Sequence, residues 1–215
     1  MSQASVTAAG RLAGHGEAAH AHHHPTSLGI PNQKLATWLF IASESMFFAS
    51  LITTYMVFRY RSVVGPHPDE VVNIPLTTVS TFILLMSSLT MALGVSAAHR
   101  GEMRAVGKYL ALTILGGLGF LVIQFYEWWH LAHDFGLTWR TNIFGSVFYI
   151  LTGFHKAHVI FGMLWLSVIA ISSFRGTLRK EHAVNVDVAG LYWHFVDVVW
   201  IVIFTLVFLL TEAGV

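Results

Sequence analysis

The chain has 215 residues, of which 55% are hydrophobic and only 11% are charged, and its mean hydropathy is +0.64. Soluble domains carry about 25% charged residues, so this composition predicts an integral membrane protein and excludes a sizeable extramembrane domain. Because cysteine is absent, disulfides, thiolate metal sites and cysteine nucleophiles are excluded. The net charge of +1 gives no indication of nucleic-acid binding.

Residues 1–34 differ in composition from the rest of the chain, being rich in Ala, Gly and His without a long apolar run. Five of the histidines are His15, His20, His22, His23 and His24. A His-rich tract can bind a metal, but a titratable tail without a specific ligand is the simpler interpretation. We therefore predict a flexible, solvated N-terminal tail over 1–34 and a single membrane domain over 35–215.

Five apolar segments follow the tail, and each is long enough to cross a bilayer core, which needs about 20 residues of helix. They are Leu35–Phe58, Leu76–Ala98, Tyr109–His130, Ile143–Phe174 and Val188–Leu210. Short loops join them, and Pro75 is well placed as the first residue of the second helix. The sequence predicts an all-α, polytopic membrane protein, a bundle of five transmembrane helices. It shows no internal repeat, which argues against an inverted-repeat transporter.

The basic residues of the loops predict the orientation of the chain. The side that holds the N-terminal tail and the second and fourth loops carries eight Lys and Arg residues, and the opposite side carries three. Lys156 lies within a span and is not counted. The N-terminus is therefore expected to be cytoplasmic and the C-terminus outside.

A carboxyl group lies deep in the first span, where Glu44 follows about ten residues of helix. Charged groups inside a bilayer are costly and usually face the bundle interior with a partner or a function. A carboxyl group that resists ionisation is suited to a proton relay, whereas the simpler interpretation is a structural hydrogen bond to a neighbouring helix. The residues alone favour the structural role slightly.

The third span ends with Glu127, one helical turn from both Gln124 and His130, so the three side chains can share a face. Two tryptophans follow Glu127 directly and indicate that the helix reaches the membrane interface there. A structural role is favoured for this shallower carboxyl group.

The fourth span carries His155 and His158, three residues apart and on one face. Lys156 points about 100° away from His155. It is expected either to extend towards the interface or to pair with a carboxylate from another helix.

The fifth span carries His194 and Asp197 one turn apart, and Trp193, Asp197 and Trp200 form a stripe along it. We expect Glu127, His155, Lys156, His158, His194 and Asp197 to form a buried polar and ion-pair network.

Histidines from two helices could bind haem, which keeps a stand-alone haem or metal enzyme as an alternative. However, Glu127 and His130 form only one Glu-x-x-His pair, whereas a di-metal site needs two, and the His-Glu-x-x-His motif of zinc hydrolases is absent. Satisfied buried pairs are therefore favoured over a metal site. A transporter or channel is a third, weaker hypothesis.

Four motifs on four helices resemble subunit III of the haem–copper respiratory oxidases, meaning cytochrome c oxidase and its quinol-oxidase relatives. The motifs are Ser43-Glu44 with Phe47-Phe48, Gln124 with Tyr126-Glu127, Gly153-Phe154-His155 with His158-Val159-Ile160 and Gly162, and the run Tyr192 to Trp200. They occur in the family's order and span residues 35 to 210.

The resemblance implies an accessory, non-catalytic subunit of a proton-pumping terminal oxidase that reduces O2 to water in aerobic respiration. Such a subunit binds no haem, copper or other metal itself, packs against the haem-bearing subunit I and other oxidase subunits, binds phospholipid and supports proton uptake. The implied location is the bacterial inner membrane. Glu44 matches the family's embedded carboxyl group, which is protonated and reacts with hydrophobic carbodiimides. Trp193 and Trp200 are expected to contact lipid or a neighbouring subunit.

The chain departs from the family pattern at two points. Many members have seven helices, whereas five are predicted here, and Lys156-Ala157 stands where the family usually has Gly-Leu.

Cytochrome c is favoured as electron donor, with quinol as the alternative. We further expect Glu44 to hydrogen-bond a histidine of another helix, with His194 the preferred partner.

Overall fold

The computed structural model describes residues 31–62, 65–66 and 73–210. This part contains five long helices, α1 (Asn32–Phe58), α2 (Ile74–Arg100), α3 (Met103–Asp134), α4 (Ile143–Phe174) and α5 (Ala183–Ile203). A 3-10 turn over Lys180–His182 precedes α5, which continues as a π-helical segment over Phe204–Leu209. Five helices are long and apolar enough to cross a membrane, so the predicted all-α, five-helix membrane architecture is confirmed. Residues 1–30 of the predicted His-rich tail lie outside the described part of the chain.

The helices extend further than the apolar segments that predicted them. The third begins at Met103 rather than Tyr109 and ends at Asp134 rather than His130. Hydropathy marks only the part of a helix that lies in hydrocarbon, whereas the backbone hydrogen bonds continue through polar residues at the interface. The predicted boundaries were therefore too narrow at several helix ends.

Local sequence sets the two ends of α2. The Asn73 side chain accepts a hydrogen bond from the backbone N–H of Leu76 and so caps the first turn. Pro75 is the second residue of the helix, one position later than predicted. Gly101 ends the helix in the left-handed conformation, with φ at 80°, which a glycine adopts without steric cost.

Helices α2 to α5 form a four-helix bundle in which each helix packs against two others, because α3 contacts α2 and α4 while α5 contacts α2 and α4. Small residues bring the backbones close together. A Cβ atom built on Gly116 of α3 would lie 2.7 Å from the Cβ atom of Ser87 on α2. On α4, a Cβ atom at Gly162 would meet the rings of Tyr192 and Trp193 at 3.0 and 3.1 Å.

Helix α1 lies against the α4–α5 side of this bundle and is mostly exposed, with only Phe48 and Tyr55 buried. Its contacts are made by long aromatic side chains. Phe47 meets Phe154 of α4 edge to face with ring centroids 5.1 Å apart, and Phe48 meets Phe195 of α5 at 6.5 Å. This packing positions the middle of α1 beside α4.

Candidate functional site

Glu44 and His158 meet between α1 and α4, with the carboxylate Oε2 3.3 Å from the imidazole Nε2. Both side chains are about one-fifth exposed. The edge of the Phe48 ring packs against the imidazole, with ring centroids 5.1 Å apart. The pair therefore places a carboxyl group beside an imidazole near the middle of two apolar helices.

The backbone of α4 fixes the protonation of the second imidazole nitrogen. His158 Nδ1 lies 2.7 Å from the carbonyl oxygen of Phe154, and a carbonyl oxygen can only accept a hydrogen bond. Nδ1 therefore carries a proton and donates it. It follows that Nε2 faces a neutral Glu44 as an acceptor, or carries a proton beside an ionised Glu44.

The expected partner of Glu44 was wrong, because His194 lies elsewhere. The Nδ1 atom of His194 is 2.6 Å from the Ser88 hydroxyl oxygen, at the seam between α5 and α2. Helix α1 packs on the opposite, α4-facing side of α5, which is why the histidine of α4 reaches Glu44 instead.

Glu127 is buried in a polar cluster between α2 and α3. One carboxylate oxygen accepts a hydrogen bond from the Thr77 hydroxyl and the other accepts from the Gln124 amide, both at 2.9 Å. The same amide lies 3.4 Å from the Ser80 hydroxyl. The predicted shared face holds for Gln124, whereas His130 instead pairs with Asp134 at 3.1 Å.

Lys156 is buried in the same cluster and does not extend to the interface. Its ammonium group donates to the backbone carbonyl of Gln124 at 3.1 Å and lies 3.4 Å from the centroid of the Trp128 ring. No ion pair within 4.0 Å joins it to Glu127 in the described part of the chain. Gln124 connects the two charged groups, since its amide contacts one and its carbonyl the other.

His155 is fully buried and packed between aromatic rings. It stacks on Trp200 with ring centroids 4.8 Å apart and faces the edge of Phe120. Neither of its ring nitrogens has a hydrogen-bond partner among the described residues. His155 is thus separate from His158 and His194.

Trp193 and Trp200 lie inside the bundle, with no exposed surface. The indole N–H of Trp193 donates to the Ser87 hydroxyl at 3.2 Å, and that of Trp200 donates to the Thr81 hydroxyl at 2.9 Å. Because both indoles find their partners on α2, neither makes the expected contact with lipid or a neighbouring subunit.

Asp197 lies one turn from His194 and close to Ser88. It is 3% exposed, and neither carboxylate oxygen has a well-formed hydrogen bond within the described residues. The structure therefore divides the expected network into a Glu44–His158 pair, a Glu127–Lys156 cluster, a Ser88–His194–Asp197 group and an isolated His155.

A further polar group was missed by the sequence analysis. Asp187 of α5 is paired with Lys34 of α1 at 2.7 Å and with His99 of α2 at 2.8 Å. These residues lie at the ends of three spans on the same side of the membrane. Antiparallel topology brings those ends together. Charged residues at span ends on the same side of the membrane are therefore a sequence signal that could have predicted the cluster.

Metal binding is not supported by the arrangement of the described residues, which place no three His, Asp or Glu side chains together as ligands. The three histidines that could serve haem or metal each face a different environment: His158 the Glu44 carboxylate, His194 a hydroxyl, and His155 two aromatic rings.

A cavity of about 450 Å³ lies between the first turn of α1, the end of α4 and the start of α5. Its apolar wall includes Trp165 and Val188. The polar residues of its lining are Gln33, Ser172, Thr177, His182 and Asn185. Among the described residues that line it, none is acidic, so the cavity suits a neutral or anionic polar group joined to an apolar one.

The family model and the relatives that match this chain agree on one family. The family model described as cytochrome c oxidase subunit III matches residues 13–212. The chain is 40% identical to cytochrome c oxidase subunit 3 of Bacillus subtilis over 186 residues, covering 85% of this chain and 88% of that protein. It is 42% identical to cytochrome c oxidase subunit 3 of Synechocystis, covering 89% and 80%. It is 36% identical to quinol oxidase subunit 3 of Bacillus subtilis, covering 84% and 88%.

Proposed function

The chain belongs to the cytochrome c oxidase subunit III family and is a subunit III of a haem–copper oxidase, and from this premise we propose that it is an accessory, non-redox subunit. It assembles with the haem-bearing subunit I and other subunits of a proton-pumping terminal oxidase. Haem and copper reside in those partners. The separate environments of His155, His158 and His194 support this assignment, because none of them belongs to a group of three or more His, Asp or Glu side chains among the described residues.

The membrane is the bacterial inner membrane, with the N-terminus cytoplasmic and the C-terminus outside. The eight-to-three distribution of Lys and Arg between the two sides supports this orientation.

Cytochrome c is the electron donor, in line with the names of relatives such as those of Bacillus subtilis and Synechocystis. The similarity to a quinol oxidase subunit 3 keeps quinol as the second candidate donor.

The Glu44–His158 contact is the observation that carries a role in proton uptake. Because His158 Nδ1 donates to the Phe154 carbonyl, Nε2 is the nitrogen that lies 3.3 Å from Glu44 Oε2, and we assign one exchangeable proton to these two atoms. Moving it converts a neutral acid and imidazole into a carboxylate and imidazolium. This exchange keeps the net charge of the pair at zero inside the bilayer, and a proton that arrives as another leaves is relayed through the pair.

Replacement of Glu44 by Gln tests this role. The Gln amide can still donate to His158 Nε2, so the variant should assemble and give the haem spectrum of the parent complex. It cannot exchange the proton, so proton uptake measured with a pH-sensitive dye during turnover should slow, and reaction with a hydrophobic carbodiimide should be lost. Glu102→Gln, at an exposed glutamate between α2 and α3, is the matched control.

Unchanged proton uptake in Glu44→Gln would contradict the proton role. Loss of assembly would instead assign the carboxyl group to a structural ion pair.

Phospholipid binding belongs to the same proposal. The cavity beside α1, α4 and α5 has a polar rim and an apolar wall and lies on the side with more Lys and Arg, which suits a lipid headgroup with the start of its acyl chain. Trp165→Ala should reduce the amount of phospholipid that stays with the complex after delipidating detergent washes, as measured by mass spectrometry. Equal retention in the variant and the parent complex would contradict binding at this cavity.

A further inference from the structure

The seam between α2 and α5 carries polar side chains in the middle of an otherwise apolar surface. Ser88 lies at the midpoint of α2 and His194 near the middle of the apolar length of α5. Both side chains are half-buried and meet at 2.6 Å. Leu85 on α2 and Val198 on α5 flank them and are 37% and 57% exposed.

The hydrogen-bonding capacity of this seam is only partly used. His194 makes one hydrogen bond in the described part of the chain, through Nδ1 to Ser88, which leaves Nε2 open. Beneath the same seam, Asp197 is 3% exposed; its carboxyl group lies beside the Ser88 hydroxyl and forms no ion pair within the described residues. A single hydroxyl group, that of Ser88, thus serves both an imidazole and a carboxyl group.

Lipid cannot supply a hydrogen-bond partner to the polar side chains of the seam. Acyl chains offer no donors or acceptors, and headgroups do not reach the middle of a hydrocarbon core about 30 Å thick. Helix α1 packs on the α4–α5 side, so it does not cover the seam. A transmembrane helix of another subunit, carrying a polar side chain, is the partner whose chemistry fits at this depth.

We propose that the seam formed by Ser88, His194 and Asp197 is the docking surface for a transmembrane helix of the haem-bearing subunit, which presents a hydrogen-bonding side chain to His194. This inference rests on the proposed function, because it requires such a subunit. The apolar residues Leu85 and Val198 form the rim, and the polar group at the centre sets the register of the two helices.

Photo-crosslinking in the native membrane tests the surface directly. Benzoylphenylalanine is placed in turn at Leu85, Val198 and Leu164, the last being a 63% exposed residue of α4 that serves as matched control. After illumination, mass spectrometry identifies the attached subunit. Adducts with the haem-bearing subunit from Leu85 and Val198, in at least about threefold higher yield than from Leu164, are expected. Equal or lower yields from the seam would overturn the docking proposal.

Variants of His194 test the polar contact. His194→Leu should lower the haem recovered with the affinity-purified chain about tenfold, which corresponds to about 1.4 kcal/mol, whereas His194→Gln should stay close to the parent. Ser167→Ala is the control, since among the described residues Ser167 bonds to the backbone of its own helix alone. Unchanged recovery with His194→Leu would overturn the polar contact. If His194→Leu does not accumulate, the crosslinks and the His194→Gln variant test the proposal instead. A tenfold loss of haem with His194→Gln would also overturn the polar contact.

The two proposals fail in distinguishable ways. If the parent chain recovers no haem-bearing subunit, the proposed function is wrong. If it recovers haem but crosslinks to that subunit only from Leu164, the docking surface alone is wrong.

Discussion

Replacing Lys156 with Met should destabilise the bundle strongly, and replacing Glu127 with Gln in the same chain should restore most of that stability. Lys156 and Glu127 are 2% and 4% exposed. They are connected through Gln124, whose carbonyl accepts from the ammonium group and whose amide donates to the carboxylate. Removal of the cation alone leaves a buried carboxylate without a compensating charge.

The expected magnitude follows from the contacts that are lost. Among the described residues, Lys156 and Glu127 form no direct ion pair, so the loss is that of a buried charged group left without compensation, about 2–3 kcal/mol. Met keeps the apolar stem of Lys156, so loss of packing adds little. In the double variant no charge is stranded, and Gln at position 127 still accepts from the Thr77 hydroxyl. With Glu127→Gln alone nearly neutral, we therefore expect a deficit of about 1 kcal/mol for the double variant and a coupling of about 1–2 kcal/mol.

Unfolding of the purified complex by SDS titration in mild detergent, followed by tryptophan fluorescence, measures these differences. Lys108→Met, at an exposed position of α3, controls for loss of a lysine as such. A double variant as unstable as Lys156→Met, or less stable, would refute the coupling. In that case the contacts of Lys156 with the Gln124 carbonyl and the Trp128 ring would account for its role alone.

Three further outcomes follow from the described contacts. Asp187→Asn should destabilise the chain by about 1 kcal/mol, because it weakens both ion pairs at the helix ends, and should speed limited proteolysis near the start of α1; an unchanged cleavage rate would contradict this. Gly162→Ala should cost about 1–3 kcal/mol in SDS unfolding, since its Cβ would meet two aromatic rings, whereas Gly119→Ala, with its nearest neighbour at 3.5 Å, should be nearly neutral. The Arg100 hydrogen bond lowers the pKa of Glu102, so its stabilisation is present above the ordinary glutamate pKa and is lost as pH falls through the lowered value. Because the pair is exposed, the effect is small: Glu102→Gln should unfold slightly below the parent at about pH 7 and together with it at low pH; a difference that persists at low pH would contradict the pair as its source.

The helices were predictable because a bilayer leaves few choices. A long apolar segment has to satisfy its backbone groups internally, so hydropathy found the five long helices of the described residues. Their ends were less accurate. The 3-10 turn at Lys180–His182 and the start of α5 at Ala183 lie in polar sequence, where hydropathy carries no information and local capping decides the boundary.

The polar pairs were harder to predict than the polar residues. Glu44, Glu127 and Lys156 were recognised as unusual, but the pairing of Glu44 with His158 rather than His194 depends on which side of α5 the first helix packs. Helical spacing identifies residues on one face of a helix and says nothing about the neighbour that this face meets. Residues at helix ends were overlooked for a different reason. Asp187 is unremarkable in sequence because its depth looks interfacial, and only the meeting of three helix ends buries it.

The central claim is that the chain is a non-redox subunit of a haem-bearing oxidase. The most direct test is affinity purification of the chain from its native membrane in mild detergent, with a reduced-minus-oxidised visible spectrum, followed by separation of the subunits and haem and metal analysis of each. We predict haem bands in the complex and neither haem nor metal in the separated chain. Stoichiometric haem or metal that stays with the separated chain would contradict the account and assign redox chemistry to its histidines and carboxylates.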